Sequence, residues 1–187
     1  MRPASCATSS TPVKNVFMTD QPIIRLRAIE PEDLDLLYRI ENDRSLWDVG
    51  TTNVPYSRYT LHDYLATSAD DIYADRQVRL VVENNRSQTV GMIDLVRFDP
   101  QHQRAEVGVV ILSDCRRQGY ALAALTELCC YALRVLHLHQ LYAVVKHDNV
   151  AALRLFAKAG FTTQIRLRDW LFDGRNYHDA VLMQIFL

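Results

Sequence analysis

The sequence lacks a large excess of either charge, an apolar run long enough to cross a bilayer, and a secretory signal. Its 187 residues carry 21 lysines and arginines against 22 aspartates and glutamates, for a formal net charge of -1. General binders of nucleic acids or membrane surfaces rely on excess positive charge, so the near-neutral balance argues against both classes. The missing apolar run argues against a membrane-spanning helix. We therefore expect a cytoplasmic protein in which any anion site is local.

Metal-like spacing is also missing among the four cysteines, which are Cys6, Cys115, Cys129 and Cys130. Cys129 and Cys130 are adjacent within a helical pattern, so their side chains point in different directions. In the absence of a secretory signal, we interpret the cysteines as reduced, packed thiols. His137 and His139 could share one face of a strand, but no third ligand lies near them in the sequence. We expect no metal site.

Residues 1–20 differ in composition from the rest of the chain. They are rich in serine, threonine and proline and contain no apolar run, which is typical of a flexible N-terminal extension. The chain is long enough for one domain with a sizeable core. We therefore assign residues 21–187 to a single domain.

Within that domain, periodicity predicts a strand, two helices, three strands, a helix, a strand, a helix and two final strands. The predicted ranges are 23–27, a helix opening at Pro31, 58 to about 74, 78–82, 89–98, 103–112, 120–134, 141–145, 149–158, 161–172 and 175–186. Asp173-Gly174, between the last two strands, is the strongest turn signal in the chain. This order favours an α/β protein with one mixed sheet and helices on both faces.

The stretch from Arg104 to Arg134 predicts a strand that leads through a charged turn into a helix. A helix start leaves several backbone N–H groups unpaired, and its positive end favours anions. Arg116 and Arg117 add positive charge, although exposed arginines in a turn are common without any ligand. Gly119 keeps the surface thin, so that a pyrophosphate could approach the backbone closely. The stretch predicts a site for a polyanion.

The turn Arg116-Arg117-Gln118-Gly119-Tyr120-Ala121 fits the coenzyme A loop Arg/Gln-x-x-Gly-x-Gly/Ala. Together with the strand before it and the segment 149–161 after it, this loop makes the chain resemble the GNAT N-acetyltransferases. These enzymes move an acetyl group from acetyl-CoA to an amine. The resemblance implies the GNAT fold, a central mixed, mostly antiparallel sheet flanked by helices, and acetyl-CoA as cosubstrate.

Within this superfamily, the chain resembles the bacterial spermidine/spermine N-acetyltransferases most closely. The similar segments include 24–27, 104–107, 118–121, 141–142 and 158–161, and the hairpin at 173–174. The ribosomal-protein N-terminal acetyltransferases share much of this pattern. The resemblance implies a primary amine as acceptor, with a polyamine such as spermidine as the first candidate.

The resemblance assigns one set of residues to coenzyme A. The backbone of the strand is expected to pair with the pantetheine arm, and one N–H group, from Val109 or Val110, to support the negative charge that develops on the thioester oxygen. The loop is expected to bind the pyrophosphate. Asn149 contacts the coenzyme, caps its own helix, or does both. The expected coenzyme residues are Val109, Val110, Ile111, Arg116, Arg117, Gln118, Gly119, Tyr120, Ala121, Asn149 and Phe156.

Glu106 is the candidate general base. A primary amine with a pKa of about 10.4 is protonated at neutral pH, and only its neutral form attacks a thioester. A carboxylate can remove that proton directly or through a water. The alternative is a structural role, in which Glu106 pairs with Arg104 or with an arginine of a neighbouring strand.

The general acid departs from the family pattern. The spermidine enzymes have a tyrosine in the helix after the asparagine, where it protonates the departing thiolate. This chain has Phe156 at that position, and a phenylalanine cannot donate a proton. Tyr142 or a water could substitute, and a thiol with a pKa near 8.5 is a fair leaving group without an acid.

The acceptor side carries weaker signals. Trp47, Asp48, Glu83 and Asp94 are the candidate substrate-binding residues, although a tryptophan there could equally fill the core. The loop at 46–56 contains one acid, whereas the spermidine enzymes carry a pair. Acetylation of a protein N-terminus and a coenzyme-A-binding module without catalysis stay open as alternatives. Exposed strand edges favour a homodimer or a larger homo-oligomer.

Overall fold

One sheet of seven strands organises the residues that the structure, a computed structural model, describes, which are 21–46, 54–68 and 71–187. The strands are β1 (Ile24–Ala28), β2 (Val78–Asn84), β3 (Thr89–Asp99), β4 (Arg104–Ile111), β5 (Gln140–Lys146), β6 (Thr162–Phe172) and β7 (Tyr177–Phe186). Their order across the sheet is β1-β2-β3-β4-β5-β7-β6. The β4–β5 pair is parallel and the other neighbours are antiparallel. The mixed, mostly antiparallel sheet expected from the sequence is confirmed.

The α-helices of the described ranges are α1 (Leu34–Glu41), α2 (Arg58–Thr67), α3 (Ile72–Asp75), α4 (Tyr120–Arg134) and α5 (Val150–Lys158). Short 3-10 turns lie at Pro31–Asp33, Arg44–Leu46 and Ser113–Cys115. Within the described ranges, no helix combines the length and the apolar composition that crossing a membrane requires. The extension predicted for residues 1–20 lies outside these ranges.

The predicted helix from residue 58 to about 74 is wrong in its continuity. Helix α2 ends at Thr67, because the backbone of Ser68 is extended with ψ of 129°. A separate helix, α3, begins after Asp71, whose side chain accepts a hydrogen bond from the Tyr73 N–H at 2.9 Å. A side chain that caps one helix start competes with continuation of the preceding helix.

The two faces of the sheet differ in chemistry because alternate side chains point to opposite sides. On one face, Ile93 and Leu95 of β3 pack against Leu125 and Leu128 of α4 in the main core, which also includes Phe156 of α5. That face is apolar and is covered by helices, as the strongly apolar pattern of residues 120–134 predicts.

The opposite face, which carries α1 and α2, has a smaller apolar cluster. Met92 of β3 packs there with Leu37 of α1 and Leu61 of α2. Beside this cluster the face is charged: the register places Arg79 of β2 next to Asp94 of β3. We call this side of the sheet the polar face.

Candidate active site

The site is organised around an interruption between the two parallel strands at the centre of the sheet. Strand β4 pairs with β5 over three residues, the last pair being Glu106 with Tyr142. Both strands continue beyond this pair, β4 to Ile111 and β5 to Lys146. On its other edge, β4 remains paired with β3 as far as Ile111. The second half of β4 therefore presents one open edge, and Glu106 and Tyr142 mark the point where the two strands separate.

The alternation of hydrogen-bonded residues along the β3–β4 ladder shows which backbone groups of β4 face the open edge. The Leu112 N–H donates to the Val90 carbonyl of β3 at 2.9 Å. In an antiparallel ladder such bonded residues alternate, so Val110 also faces β3, whereas Val109 and Ile111 turn their N–H and C=O groups to the open edge. The Ile111 carbonyl accordingly accepts a hydrogen bond from Arg116 Nε at 3.0 Å, outside the sheet.

This alternation distinguishes Val109 from Val110, the two strand residues predicted to supply an N–H group to the thioester. Of the two candidates for the N–H group at the thioester, Val109 faces the gap and Val110 is committed to its partner Met92 on β3. The backbone of Val110 is therefore committed to β3, its side chain lies on the polar face, and its contact with coenzyme A stays a prediction.

The loop after β4 has the shape of an anion cradle. Arg117 and Gly119 both have positive φ, 61° and 86°, and Gly119 is the N-cap of α4. The first α4 hydrogen bond runs from the Ala123 N–H to the Gly119 carbonyl at 3.1 Å. The N–H groups of the turn before Ala123 have no acceptor within the helix, and successive N–H groups in such a turn attract phosphate.

Two side chains of the motif stabilise the loop itself. Arg116 donates to the Ile111 carbonyl, and Gln118 Nε2 donates to the Asp114 carbonyl at 3.1 Å. A Cβ atom at Gly119 would lie 3.0 Å from Cδ of Pro22, in a backbone conformation that side chains rarely adopt. The loop thus fits a pyrophosphate through its backbone, and its arginine and glutamine hold that backbone in place.

Helix α5 holds the other two predicted coenzyme residues. Asn149 caps this helix, because its Oδ1 accepts from the Ala152 N–H at 3.0 Å. Phe156 is buried and packs edge-on against Phe161, with ring centroids 5.0 Å apart. Phe156 thus lies in the core, where an apolar ring needs no polar partner, and its contact with coenzyme A stays a prediction.

Glu106 lies beside the gap on the polar face and is already paired. Its carboxylate forms an ion pair with Arg97 of β3, which is the neighbouring-strand alternative that the sequence left open. Arg104 pairs with Asp99 instead, at 3.3 Å from Nη2 to Oδ2. The Glu106 side chain is 14% exposed and that of Arg97 is 62% exposed. A pair with so exposed a cation contributes at most about 1 kcal/mol, so it can be exchanged at little cost.

Tyr142 faces Glu106 across the β4–β5 ladder. Burial raises the pKa of the Tyr142 phenol above its ordinary value, and the neighbouring Glu106 carboxylate raises it further. The phenol is therefore protonated at neutral pH. It can donate a proton or a hydrogen bond at the point where the two strands separate.

The remaining carboxylates of the polar face are also held by arginines. Arg79 Nη1 donates to Glu41 Oε1 at 2.7 Å, and Arg79 Nε lies 3.3 Å from Asp94 Oδ1. Burial raises the pKa of Asp94, and the charge of Arg79 opposes that rise. Gly108 lies opposite Asp94 on β4, so no side chain from β4 separates the Asp94 carboxylate from the site.

Glu83 belongs to a second ion-pair group at the β1 end of the face. Arg27 Nε donates to Glu83 at 2.6 Å, and its two terminal nitrogens donate to Asp33 at 2.6 and 2.8 Å. Glu83 is thus two strands away from β4 and engaged in a structural network. Trp47 and Asp48, the other two predicted acceptor residues, lie outside the described residues.

Sequence reasoning foresaw a neighbouring-strand arginine as partner of Glu106 without naming Arg97, and it missed Arg27 and Arg79. Each of them contacts a carboxylate that is distant in sequence, so no local motif marks the pairs. The signal that could have found Arg27 and Arg79 is their place on predicted strands at positions that alternate with buried apolar residues. Among the described residues, no three histidine, cysteine, aspartate or glutamate side chains come together as metal ligands.

Residues 24–162 match the family model of the acetyltransferase (GNAT) domain. The chain belongs to the GNAT family. It is an acetyl-CoA-dependent N-acetyltransferase, with acetyl-CoA as its cosubstrate. The open edge of β4 and the backbone cradle before α4 are the parts of this chain that fit the coenzyme.

Several relatives are known by name. A spermidine N(1)-acetyltransferase of Escherichia coli K12 is 28% identical over 163 residues, covering 87% of this chain and 86% of the relative. A Bacillus subtilis protein provisionally named a ribosomal N-acetyltransferase is 27% identical, covering 84% of this chain and 88% of the relative. The crystal structure of spermidine N-acetyltransferase from Vibrio cholerae with CoA and spermine superimposes with a TM-score of 0.78. It is 26% identical and covers 87% of this chain and 95% of that one.

Proposed function

We propose that this GNAT enzyme acetylates a primary amine of a small molecule, and that a polyamine such as spermidine is the first acceptor to test. The observation that carries the proposal is the position of Glu106 and Tyr142 where β4 and β5 separate, beside the outward-facing N–H of Val109. The similarity to spermidine acetyltransferases at 25 to 28% identity supports the acceptor class.

Each of the three groups has a distinct role in this proposal. Glu106 accepts the proton of the acceptor ammonium, directly or through a water, because only the neutral amine is a nucleophile. The Val109 N–H stabilises negative charge on the carbonyl oxygen that is attacked. The protonated Tyr142 phenol supplies the proton that Phe156 cannot supply.

The charge of the polar face favours a cationic acceptor. In its ion-pair groups, six carboxylates (Asp33, Glu41, Glu83, Asp94, Asp99 and Glu106) face four arginines (Arg27, Arg79, Arg97 and Arg104). An excess of carboxylates attracts an ammonium group and raises its local concentration. An acceptor with a single amine and no other charge would gain less from this field than a polyamine.

A protein N-terminus is the second candidate, favoured by the similarity to the provisionally named ribosomal enzyme. Such an acceptor needs a groove wide enough for a peptide.

The proposal includes a cytoplasmic location, supported by free thiols at Cys115, Cys129 and Cys130. It also includes a homo-oligomer, supported by the edge position of β6 with the exposed aromatic side chains Trp170 and Phe172.

A thiol-release assay on the full chain tests the proposal. Purified protein with acetyl-CoA is offered spermidine, an aminoglycoside, free amino acids and N-terminal peptides at neutral pH. Turnover with spermidine above the other acceptors is the expected result. Turnover with peptides alone would replace the proposal by N-terminal acetylation. Tight coenzyme binding without turnover on any acceptor would leave a coenzyme-binding module and refute the assigned chemistry.

A further inference from the structure

Strand β3 contains a bulge beside the candidate active site. Val96 is opposite Glu106 and Asp99 is opposite Arg104, so two residues of β3, Arg97 and Phe98, face the single residue between them on β4. Phe98 is buried in the main core. Arg97 is therefore the extra residue, and the bulge turns its side chain onto the polar face.

The backbone at Arg97 is strained. Its φ is 51°, and among the described non-glycine residues with positive φ it is one of two that lie within a strand. Left-handed backbone is unfavourable for a residue with a Cβ atom. Bulges occur next to active sites, where they redirect a side chain. Here the redirected side chain is a guanidinium, and it ends on the Glu106 carboxylate.

This arrangement places a cation where the acceptor's cation must go. An ammonium group that delivers its proton to Glu106 has to approach the carboxylate that Arg97 contacts. Glu106 is largely buried, which limits the directions of approach, whereas Arg97 is mostly exposed and free to swing into solvent. The acceptor and Arg97 therefore compete for one carboxylate.

We propose that Arg97 is a specificity-determining residue for the acetyl acceptor: it occupies Glu106 in the resting enzyme, yields to one ammonium group, and reduces the preference of the polar face for acceptors with several. The proposal rests on the proposed function in that Glu106 receives the acceptor amine. Displacing an exposed ion pair lowers affinity by at most about fivefold. Repulsion between the displaced guanidinium and each further ammonium group adds to this, so the penalty grows with the charge of the acceptor.

Isothermal titration of the CoA-loaded enzyme with propylamine, putrescine, spermidine and spermine tests this inference. These amines carry one to four amino groups on similar chains. The Arg97→Gln variant should bind propylamine up to about fivefold more tightly than the unaltered enzyme, and spermidine and spermine about tenfold or more. Arg97→Lys, which keeps the charge, should stay within about twofold.

Arg104→Gln is the matched control, because it removes the same charge one residue pair away while leaving Glu106 and Arg97 in contact. It should change affinity by less than about twofold for every amine. In turnover assays, Arg97→Gln should lower KM along the same series and leave kcat within about twofold.

Three outcomes would overturn the inference: weaker binding by Arg97→Gln, a gain that is the same for all four amines, or an equal gain in Arg104→Gln. The last would show a general charge effect. The proposed function fails separately, when the unaltered enzyme turns over no small amine. The amine titrations test the role of Arg97 whether or not the unaltered enzyme turns over a small amine.

Discussion

The donor side of the site presents backbone groups, whereas the acceptor side presents charged side chains. On the donor side, we propose that backbone groups bind coenzyme A: the open edge of β4 and the N–H groups before α4. On the acceptor side, we propose that side chains bind the amine, and every carboxylate of the polar face discussed above is paired with an arginine.

This difference has a physical origin. Coenzyme A offers the same pyrophosphate and pantetheine to every enzyme that uses it, so fixed backbone geometry suffices. An amine acceptor is recognised by charge, and charged side chains can be exchanged without altering the fold. The donor side should therefore fail when its backbone is changed, and the acceptor side should respond in steps to changes of single charges.

The largest expected effect concerns the donor loop. Gly119→Glu should abolish coenzyme A binding, because a carboxylate at a positive-φ position of the loop repels the pyrophosphate and distorts the cradle. Isothermal titration with CoA measures the loss, and circular dichroism checks that the fold is retained.

Gly174→Glu is its matched control. Gly174 has φ of 95° and open space around it, in the hairpin between β6 and β7, so the backbone strain is similar and the coenzyme loop is untouched. Unchanged CoA affinity in Gly119→Glu, or equal losses in both variants, would contradict a backbone-built donor site.

The second-largest effect concerns Glu106, which lies between the donor side and the acceptor side. Glu106→Gln should lower kcat by about 10²-fold, since the acceptor proton then has to leave without a base. The optimum should move to higher pH, where more of the amine is already neutral. Stopped assays from pH 6 to pH 10 measure both. Asp99→Asn, a carboxamide change in the neighbouring ion pair, should leave the profile in place; an unaltered profile in Glu106→Gln would remove Glu106 from the mechanism.

The donor-side residues could be proposed from the sequence because their signals are local. The loop at 116–121 is one continuous motif, and the strand before it and the helix after it are read from neighbouring residues. The motif does not show in which direction each backbone N–H group of β4 points. Only the register with β3 shows that the N–H of Val109, and not that of Val110, faces the open edge.

The ion-pair partners of the acceptor-side carboxylates could not be assigned from local motifs, because each pair forms only when separate strands and helices come together. Arg97 reaches Glu106 through a bulge that exists only when β3 and β4 are paired, and Arg79 joins α1 to β3. Phe156 is the converse case: its match to the family's tyrosine predicts a contact with coenzyme A, and only the fold shows that its ring is buried in the core.

On the acceptor side, the half-buried ion pairs of Arg79 should show a stability effect that exposed pairs lack. Arg79→Met should lower the free energy of unfolding by about 2 to 3 kcal/mol, because it leaves the half-buried carboxylates of Glu41 and Asp94 without their cation. Urea denaturation at pH 7 measures the loss. Arg58→Met removes the exposed pair with Asp35 and should cause no comparable change. Equal losses of unfolding free energy in the two variants would mean that the ion pairs of the polar face stabilise the fold no more than an exposed pair does.

The smallest effect depends on pH and concerns the pair at the β1 end of the face. Hydrogen bonds from Arg27 lower the pKa of Asp33, and the Glu30 N–H lowers it further. The unfolded carboxyl titrates near pH 3.9. A group with a lowered native pKa stabilises the fold fully above that pH, and the contribution is lost as the pH falls through the native pKa.

Asp33→Asn should therefore cost about 1 to 2 kcal/mol at pH 7, and the difference from the unaltered chain should narrow as the pH falls below about 4. Urea titrations at pH 7, 5, 4 and 3.5 measure this trend. In an Arg27→Gln background the same substitution should have a smaller and less pH-dependent effect, since the partner that lowers the pKa is gone. A deficit of constant size from pH 7 to pH 3.5 would mean that Asp33 acts through its N–H contact and packing, and that charge does not hold this end of the acceptor face.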